Sequence, residues 1–170
     1  MGTVDIRRST LASPDAARLI AALNAELATT FPEPGATHFS LTGAQVGAGD
    51  GAFVVAYLDD VAVGCGAVRR LDEATAELKR MYVDRSVRSR GIGRALVEAL
   101  EREARLLGIT RVVLETGTRL APAIKLYEAM GYAVSPSPMM FLPIVRYNPP
   151  VRDASGARPD RSVRLKPDPT

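Results

Sequence analysis

The chain has one cysteine, one histidine and almost no excess of charge, and each shortage removes a class of function. Cys65 stands alone and closes no internal disulfide, which fits a reducing compartment. No apolar stretch approaches the roughly 20 residues that a helix needs to cross a bilayer. The opening Met1-Gly-Thr-Val-Asp-Ile6 lacks the charged head and apolar segment of a secretory leader. A cytoplasmic protein with no membrane partner is expected. The net charge of +3, from 22 Lys+Arg against 19 Asp+Glu, is small, and the two signs are mostly interleaved, so nucleic acid is not an expected partner. His38 lies in an irregular stretch and suits a solvated or structural role better than catalysis. What is present is ordinary for a globular protein: 170 residues, 46% hydrophobic and 24% charged, enough for one core and one domain.

Val4 to Arg8 alternates apolar and polar residues and reads as a first strand. Ser13-Pro-Asp15 offers a capping hydroxyl, a first-turn proline and an acid at the positive helix end. Ala16, Leu19, Ile20, Leu23 and Leu27 then recur at helical spacing until Phe31-Pro-Glu-Pro-Gly35 stops the helix. From Gly35 to Gly51 we expect loop, with one short helical turn at most. Phe53–Leu58 and Val61–Val68 form a hairpin about Asp59-Asp60, and Gly64 and Gly66 mark close approach of another group. Cys65, between them, has no basic neighbour and reads as a buried inert thiol.

Glu77–Val83 is the next strand, and Gly91 opens a long helix whose apolar face carries Ile92, Leu96, Leu100 and Leu107. Glu98–Arg102 and Glu101–Arg105 pair along its other side, and Gly108 ends it. Arg111–Glu115 is a short buried strand. Pro122 starts a helix through Ile124, Tyr127 and Met130 that stops at Gly131. The expected fold is α/β: a single mixed, mostly antiparallel sheet with helices on both faces. Met139–Tyr147 is a poor edge strand interrupted by Pro143. Residues 1–147 are expected to be the domain, and the Pro-, Arg-, Asp- and Ser-rich 148–170 a disordered tail.

The chemistry concentrates in Arg88-Ser89-Arg90-Gly91-Ile92-Gly93-Arg94, between a strand and a well-formed helix. Glycines let the backbone approach a ligand, and the helix adds amides and its positive dipole end, so the turn is an anion site. A phosphorylated ligand is the natural occupant. A dinucleotide fold competes, with Glu115 at a distance suited to a ribose. Against it, Leu96 stands where glycine or alanine is wanted, and three strands precede the turn.

The run Glu77-Leu-Lys-Arg-Met-Tyr-Val-Asp-Arg-Ser-Val-Arg-Ser-Arg-Gly-Ile-Gly-Arg-Ala-Leu96 resembles the core motif of the GNAT superfamily of N-acetyltransferases. That motif reads Arg or Gln, two residues, Gly, any residue, Gly or Ala, and Arg88, Gly91 and Gly93 match it. Leu114-Glu-Thr-Gly117 and Ala123–Tyr132 resemble the second motif, and the order of elements agrees from Val4 to Tyr132.

The resemblance implies an acetyl-CoA-dependent N-acetyltransferase acting on a primary amine of a small molecule by direct transfer in a ternary complex, with acetyl-CoA as co-substrate and no metal. The 88–94 turn would hold the pyrophosphate through main-chain amides, and Met81 and Val83 would pair with the pantetheine arm. Tyr127 falls where many members place a tyrosine near the sulfur, and Glu77 where several carry a carboxylate base. The chemistry needs such groups, since an alkylammonium must lose a proton before attack and the leaving thiolate must gain one. Glu115 is the alternative carboxylate, and Glu77 could instead be a partner for Arg80. A non-catalytic acyl-CoA-sensing domain and a protein or peptide N-acetyltransferase are the competing functions. Small members of the family often pair, which leaves a homodimer open.

Overall fold

The computed structural model describes residues 2–33, 40–117, 119–135, 144–147 and 161–166. Four antiparallel strands come first in the sheet: β1 (Val4–Ser9), β2 (Gly51–Leu58), β3 (Val61–Arg70) and β4 (Thr75–Val83). β5 (Arg111–Gly117) joins β4 in parallel after a helical crossover. β7 (Ile144–Tyr147) runs antiparallel along Val112–Leu114 of β5 and pairs on with β6 (Ala133–Ser135). The antiparallel run from β1 to β4 removes the dinucleotide-fold alternative, which needs parallel strands throughout that half.

Two expectations for the C-terminal region change. β7 takes in Ile144–Tyr147 and lies between β5 and β6, so this part of the expected strand is not at an edge, while Met139–Pro143 lie outside the described residues. Within the stretch expected to be disordered, Arg161–Lys166 forms a strand, β8, that pairs with β6 and β7. Val163 and Leu165 alternate there with Ser162, Arg164 and Lys166, a two-residue period easily lost among the tail's prolines and charges. The rest of 148–170 lies outside the described residues, as does His38.

Helices cover both faces. On one side α2 (Ile92–Leu106) buries Ile92, Leu96, Val97, Leu100 and Ala104 against Val54, Val68, Ala76 and Leu78. Each such aliphatic side chain contributes about 1.5–3 kcal/mol on burial. A Cβ on Gly64 or Gly66 would run into Leu96, Leu100 and Met81, so these glycines let α2 settle onto β3. α3 (Ala121–Ala129) shares that face through Leu126, Tyr127 and Met130. On the other side α1 (Pro14–Thr30) lays Ala16 and Leu19 on Phe53, Val55, Cys65 and Ala67. Its start follows the sequence: the Ser13 hydroxyl accepts from the Ala16 amide at 3.1 Å, with Pro14 in the first turn. A single 3-10 turn, Ala44–Val46, is the only regular element described between α1 and β2.

Both α2 and α3 end in a Schellman motif. Ile109 N donates to Ala104 O at 3.0 Å across Gly108, and Tyr132 N to Tyr127 O at 2.9 Å across Gly131. The second closure sets the Tyr132 ring edge-on to Tyr127, with centroids 5.8 Å apart. The Tyr132 hydroxyl also donates to Glu101 Oε1 at 2.6 Å, so Glu101 is buried rather than solvent-facing. These contacts lock α3, and Tyr127 with it, against α2.

Candidate active site

β4 and β5 pair only from Thr75–Arg111 to Leu78–Leu114, and beyond that point the two strands part. On its other edge β4 carries a bulge: Ala67 opposes Lys79 and Cys65 opposes Tyr82, so Arg80 and Met81 stand against Gly66 alone. Arg80 takes a positive φ of 56° there, and its carbonyl accepts from the Cys65 thiol at 3.4 Å. The bulge resets the alternation of side chains. Tyr82 packs toward α1, whereas Met81 and Val83 pack on the α2 face.

The parting opens a cleft of about 130 Å³ lined from both faces of the sheet. Leu23, Leu27 and Phe31 of the α1 side form an apolar wall, and Phe31 lies so close over Gly117 that a Cβ there would strike its ring. Tyr127 and Ala123 of α3 form the opposite wall. Glu77, Lys79, Arg80 and Glu115 supply the charges between them. Glu77 and Tyr127, the two expected catalytic residues, thus line one cavity.

Their surroundings differ. The Tyr127 side chain is buried, which pushes its phenol above the ordinary tyrosine range. Glu77 is held by Arg69, whose Nε and Nη2 donate to Oε2 at 2.8 and 2.7 Å, so its partner is Arg69 and not Arg80. Lys79 Nζ lies 4.0 Å from the same oxygen, and burial pulls its ammonium below the usual lysine range. Burial raises the Cys65 thiol to about 12, which agrees with an inert role.

Glycine shapes the turn ahead of α2. Gly91 is the N-cap at φ 80°, a conformation that favours glycine, and open space lies where its Cβ would be. Ala95 N is the first amide to reach back, to Gly91 O at 3.0 Å, so the helix offers the amides of Ile92, Gly93 and Arg94 no internal acceptor. Ser89 also has a positive φ of 66°. Gly93 has a different task, since a Cβ would come within 3.0 Å of Leu126 on α3. The arginines divide. Arg90 carries no described contact, Arg94 lies 3.7 Å from Glu98, and Arg88 donates to Val83 O at 2.8 Å. Arg88 also binds both oxygens of Glu26 on α1 at 2.9 and 2.7 Å, and Arg85 approaches the same carboxylate at 3.5 Å.

The glycine-capped turn, whose first amides have no acceptor within the helix, and the cleft between β4 and β5 are compatible with a long ligand bearing a diphosphate at one end and a thioester at the other. Glu26, Arg69, Lys79 and Arg80 escaped the motif reading. Only Lys79 and Arg80 had a sequence signal, as two adjacent cations inside a strand leading to a glycine turn.

Comparison with known proteins agrees with this geometry. One relative, the IAA acetyltransferase of Azospirillum brasilense, is 43% identical over 82 residues, 48% of this chain and 54% of its own. The chain spans about half the length of that relative and of the next, YsnE of Bacillus subtilis (54%). A Klebsiella pneumoniae structure described as an acyl-CoA N-acyltransferase superposes with a TM-score of 0.69 at 28% identity, covering 86% of this chain and 96% of that one. A GNAT acetyltransferase from Elizabethkingia anophelis, solved with acetyl-CoA bound, shares the fold at TM-score 0.57 and 20% identity over 78% of each chain. The sequence model of the acetyltransferase (GNAT) family matches residues 19–132, from the first helix to the closure of the third, and the chain belongs to that family.

Proposed function

We propose that the chain transfers an acetyl group from acetyl-CoA to a primary amine of a small molecule, directly and within a ternary complex. The parting of β4 from β5 after Leu78 and Leu114 carries the reading, because it opens a cleft lined by Tyr127 and by Glu77 and Met81 of the strand that leads to the α2 turn. Bound acetyl-CoA supplies an activated acetyl thioester. The amides of Ile92, Gly93 and Arg94 would hold its diphosphate, with Ser89, Arg90 and Gly91 framing the turn and Arg88 beside it. Main-chain groups of Met81 and Val83, on the stretch of β4 that β5 has left, would align the pantetheine arm.

Tyr127 is the acid in this scheme. Its buried phenol stays protonated and gives that proton to the departing sulfur. Glu77, fixed by Arg69, takes a proton from the acceptor ammonium directly or through one water, and Glu115 across the cleft is the second carboxylate in reach of the same space. Holding acceptor and thioester in one cleft supplies a large share of the rate. The name of the Azospirillum relative supports a small-molecule acceptor.

The test is a thermal-shift and thiol-release assay. Coenzyme A raises the melting temperature, and at least one small amine releases free thiol from acetyl-CoA. No shift with millimolar coenzyme A or acetyl-CoA overturns the proposal. A shift without turnover across a broad amine panel favours an acyl-CoA sensor, and turnover confined to peptide N-termini favours a peptide acetyltransferase.

A further inference from the structure

We propose that the Thr116 hydroxyl binds the amide of the pantetheine arm nearest the thioester, so that β5 holds the coenzyme with a side chain where β4 offers main chain. The proposal rests on the acyltransferase reading for the identity of the ligand and adds a coenzyme-binding residue on β5.

Burial is the first observation. Of the non-aromatic polar side chains among the described residues, two are buried: Glu101 at 3% exposure and Thr116 at 7%. Glu101 is bound by the Tyr132 hydroxyl. Among the described residues the Thr116 hydroxyl makes no hydrogen bond. Its oxygen is not sealed into the core either, and since Thr116 lines the cleft, the space it reaches is the cleft. A hydroxyl so placed is unfavourable, and valine would fill the same volume without leaving a polar group unpaired. A threonine there points to a ligand.

Direction is the second observation. A Cβ on Gly117 would strike the Phe31 ring, so position 117 of β5 faces α1. Alternation turns Thr116 to the opposite face, where Val112 and Leu114 share a core cluster with Tyr127 of α3. Glu77 lies on the α1 face of β4, because Ala76 and Leu78 belong to the α2 side. The cleft thus sets Glu77 toward α1 and the hydroxyls of Thr116 and Tyr127 toward α3.

Position along the strand is the third. β4 and β5 run parallel and last pair at Leu78–Leu114. Thr116 lies past that pair by about 7 Å of strand, in the direction in which β4 runs on to the α2 turn. A thioester seated where the strands part, with its diphosphate at the turn, therefore passes its arm beside Thr116. The amide nearest the sulfur must enter a cleft walled by Leu78, Met81, Leu114 and Ala123 on this face, and the hydroxyl accepts from its N–H. That bond fixes the sulfur relative to Tyr127.

The experiment compares the wild type with Thr116→Val and Thr116→Ser, by thermal unfolding without ligand and by calorimetry with coenzyme A. Thr116→Val should keep or raise the ligand-free melting temperature, because valine has the same shape and no hydroxyl to leave unpaired. It should weaken coenzyme A binding by about fivefold or more, since the buried amide of the arm then has no acceptor. Thr116→Ser keeps the hydroxyl and should bind coenzyme A within about twofold of the wild type. A coenzyme A analogue with an ester in place of that amide has no N–H to donate, and Thr116→Val should bind it no worse than the wild type does. A Thr116→Val protein that melts lower and binds coenzyme A as the wild type does has lost a structural threonine, which overturns the assignment. A loss of affinity that the ester analogue shares in full overturns it as well. Equal binding of coenzyme A by the wild type and both variants sinks this assignment and leaves the acyltransferase reading standing, whereas a wild type that binds no coenzyme A sinks both.

Discussion

Replacing Glu26 with Gln removes the carboxylate that holds Arg88 and approaches Arg85, and it should move stability and coenzyme affinity in opposite directions. The pair has two hydrogen bonds, at 2.9 and 2.7 Å, with side chains 18% and 39% exposed. Water screens such a pair, so its removal should cost about 0.5–1 kcal/mol, or about 1–4 °C in melting temperature for a chain of this size. The Arg88 bond holds the Glu26 carboxyl below its usual range, so the folded state binds this proton less readily than the unfolded one. The difference between wild type and variant is therefore full above the ordinary glutamate pKa and fades as pH falls through the lowered folded value. Coenzyme A should respond the other way. With the carboxylate gone, two arginines beside the turn act without compensation. Each charge is worth about 0.5 kcal/mol at roughly 8 Å in water, so binding should tighten about two- to tenfold at low salt and less at high salt. Thermal unfolding across pH and calorimetry at two salt concentrations read both effects. A variant that loses stability but binds coenzyme A no better, or more weakly, refutes Arg88 as part of the anion site.

Tyr127→Phe should lower kcat by about a hundredfold to a thousandfold, the lower range for a general acid, while calorimetry finds coenzyme A affinity nearly unchanged. Full activity removes the acid role. In the wild type, rates should show no alkaline fall from phenol ionisation within the ordinary tyrosine range, because burial raises that group; a fall there contradicts the burial argument. Gly91→Ala meets no atom within 4 Å yet must keep φ near 80°, so its cost is conformational, about 1–2 kcal/mol by denaturant unfolding. An unchanged midpoint would show that the turn does not need glycine there.

Sequence periodicity carried the first five strands and all three helices because each buries one face, and a buried face writes its period into the residues. The glycine turn was legible for the same local reason: Gly91 ahead of an amphipathic helix announces a capped start. Tertiary effects were not. A positive φ on Arg80 has no sequence signature, since the bulge comes from how β3 and β4 meet. Arg69 became the partner of Glu77 only through cross-strand register, in which the two residues stand opposite each other. Glu101 looked like a solvated partner of Arg105, four residues on. Burial against Tyr132 shows that it belongs to the core side of α2. β8 was hidden by composition, because six alternating residues carry little weight inside a tail of prolines and charges.

The claim beneath all of this is that the amides of Ile92, Gly93 and Arg94 grip a diphosphate. An amide-resolved NMR titration with coenzyme A, set beside one with pantetheine, tests it most directly. Coenzyme A should move those amides together with the stretch from Lys79 to Val83, whereas pantetheine should move only the latter. Amides at 92–94 that stay still under saturating coenzyme A, or that move equally with pantetheine, would contradict the account.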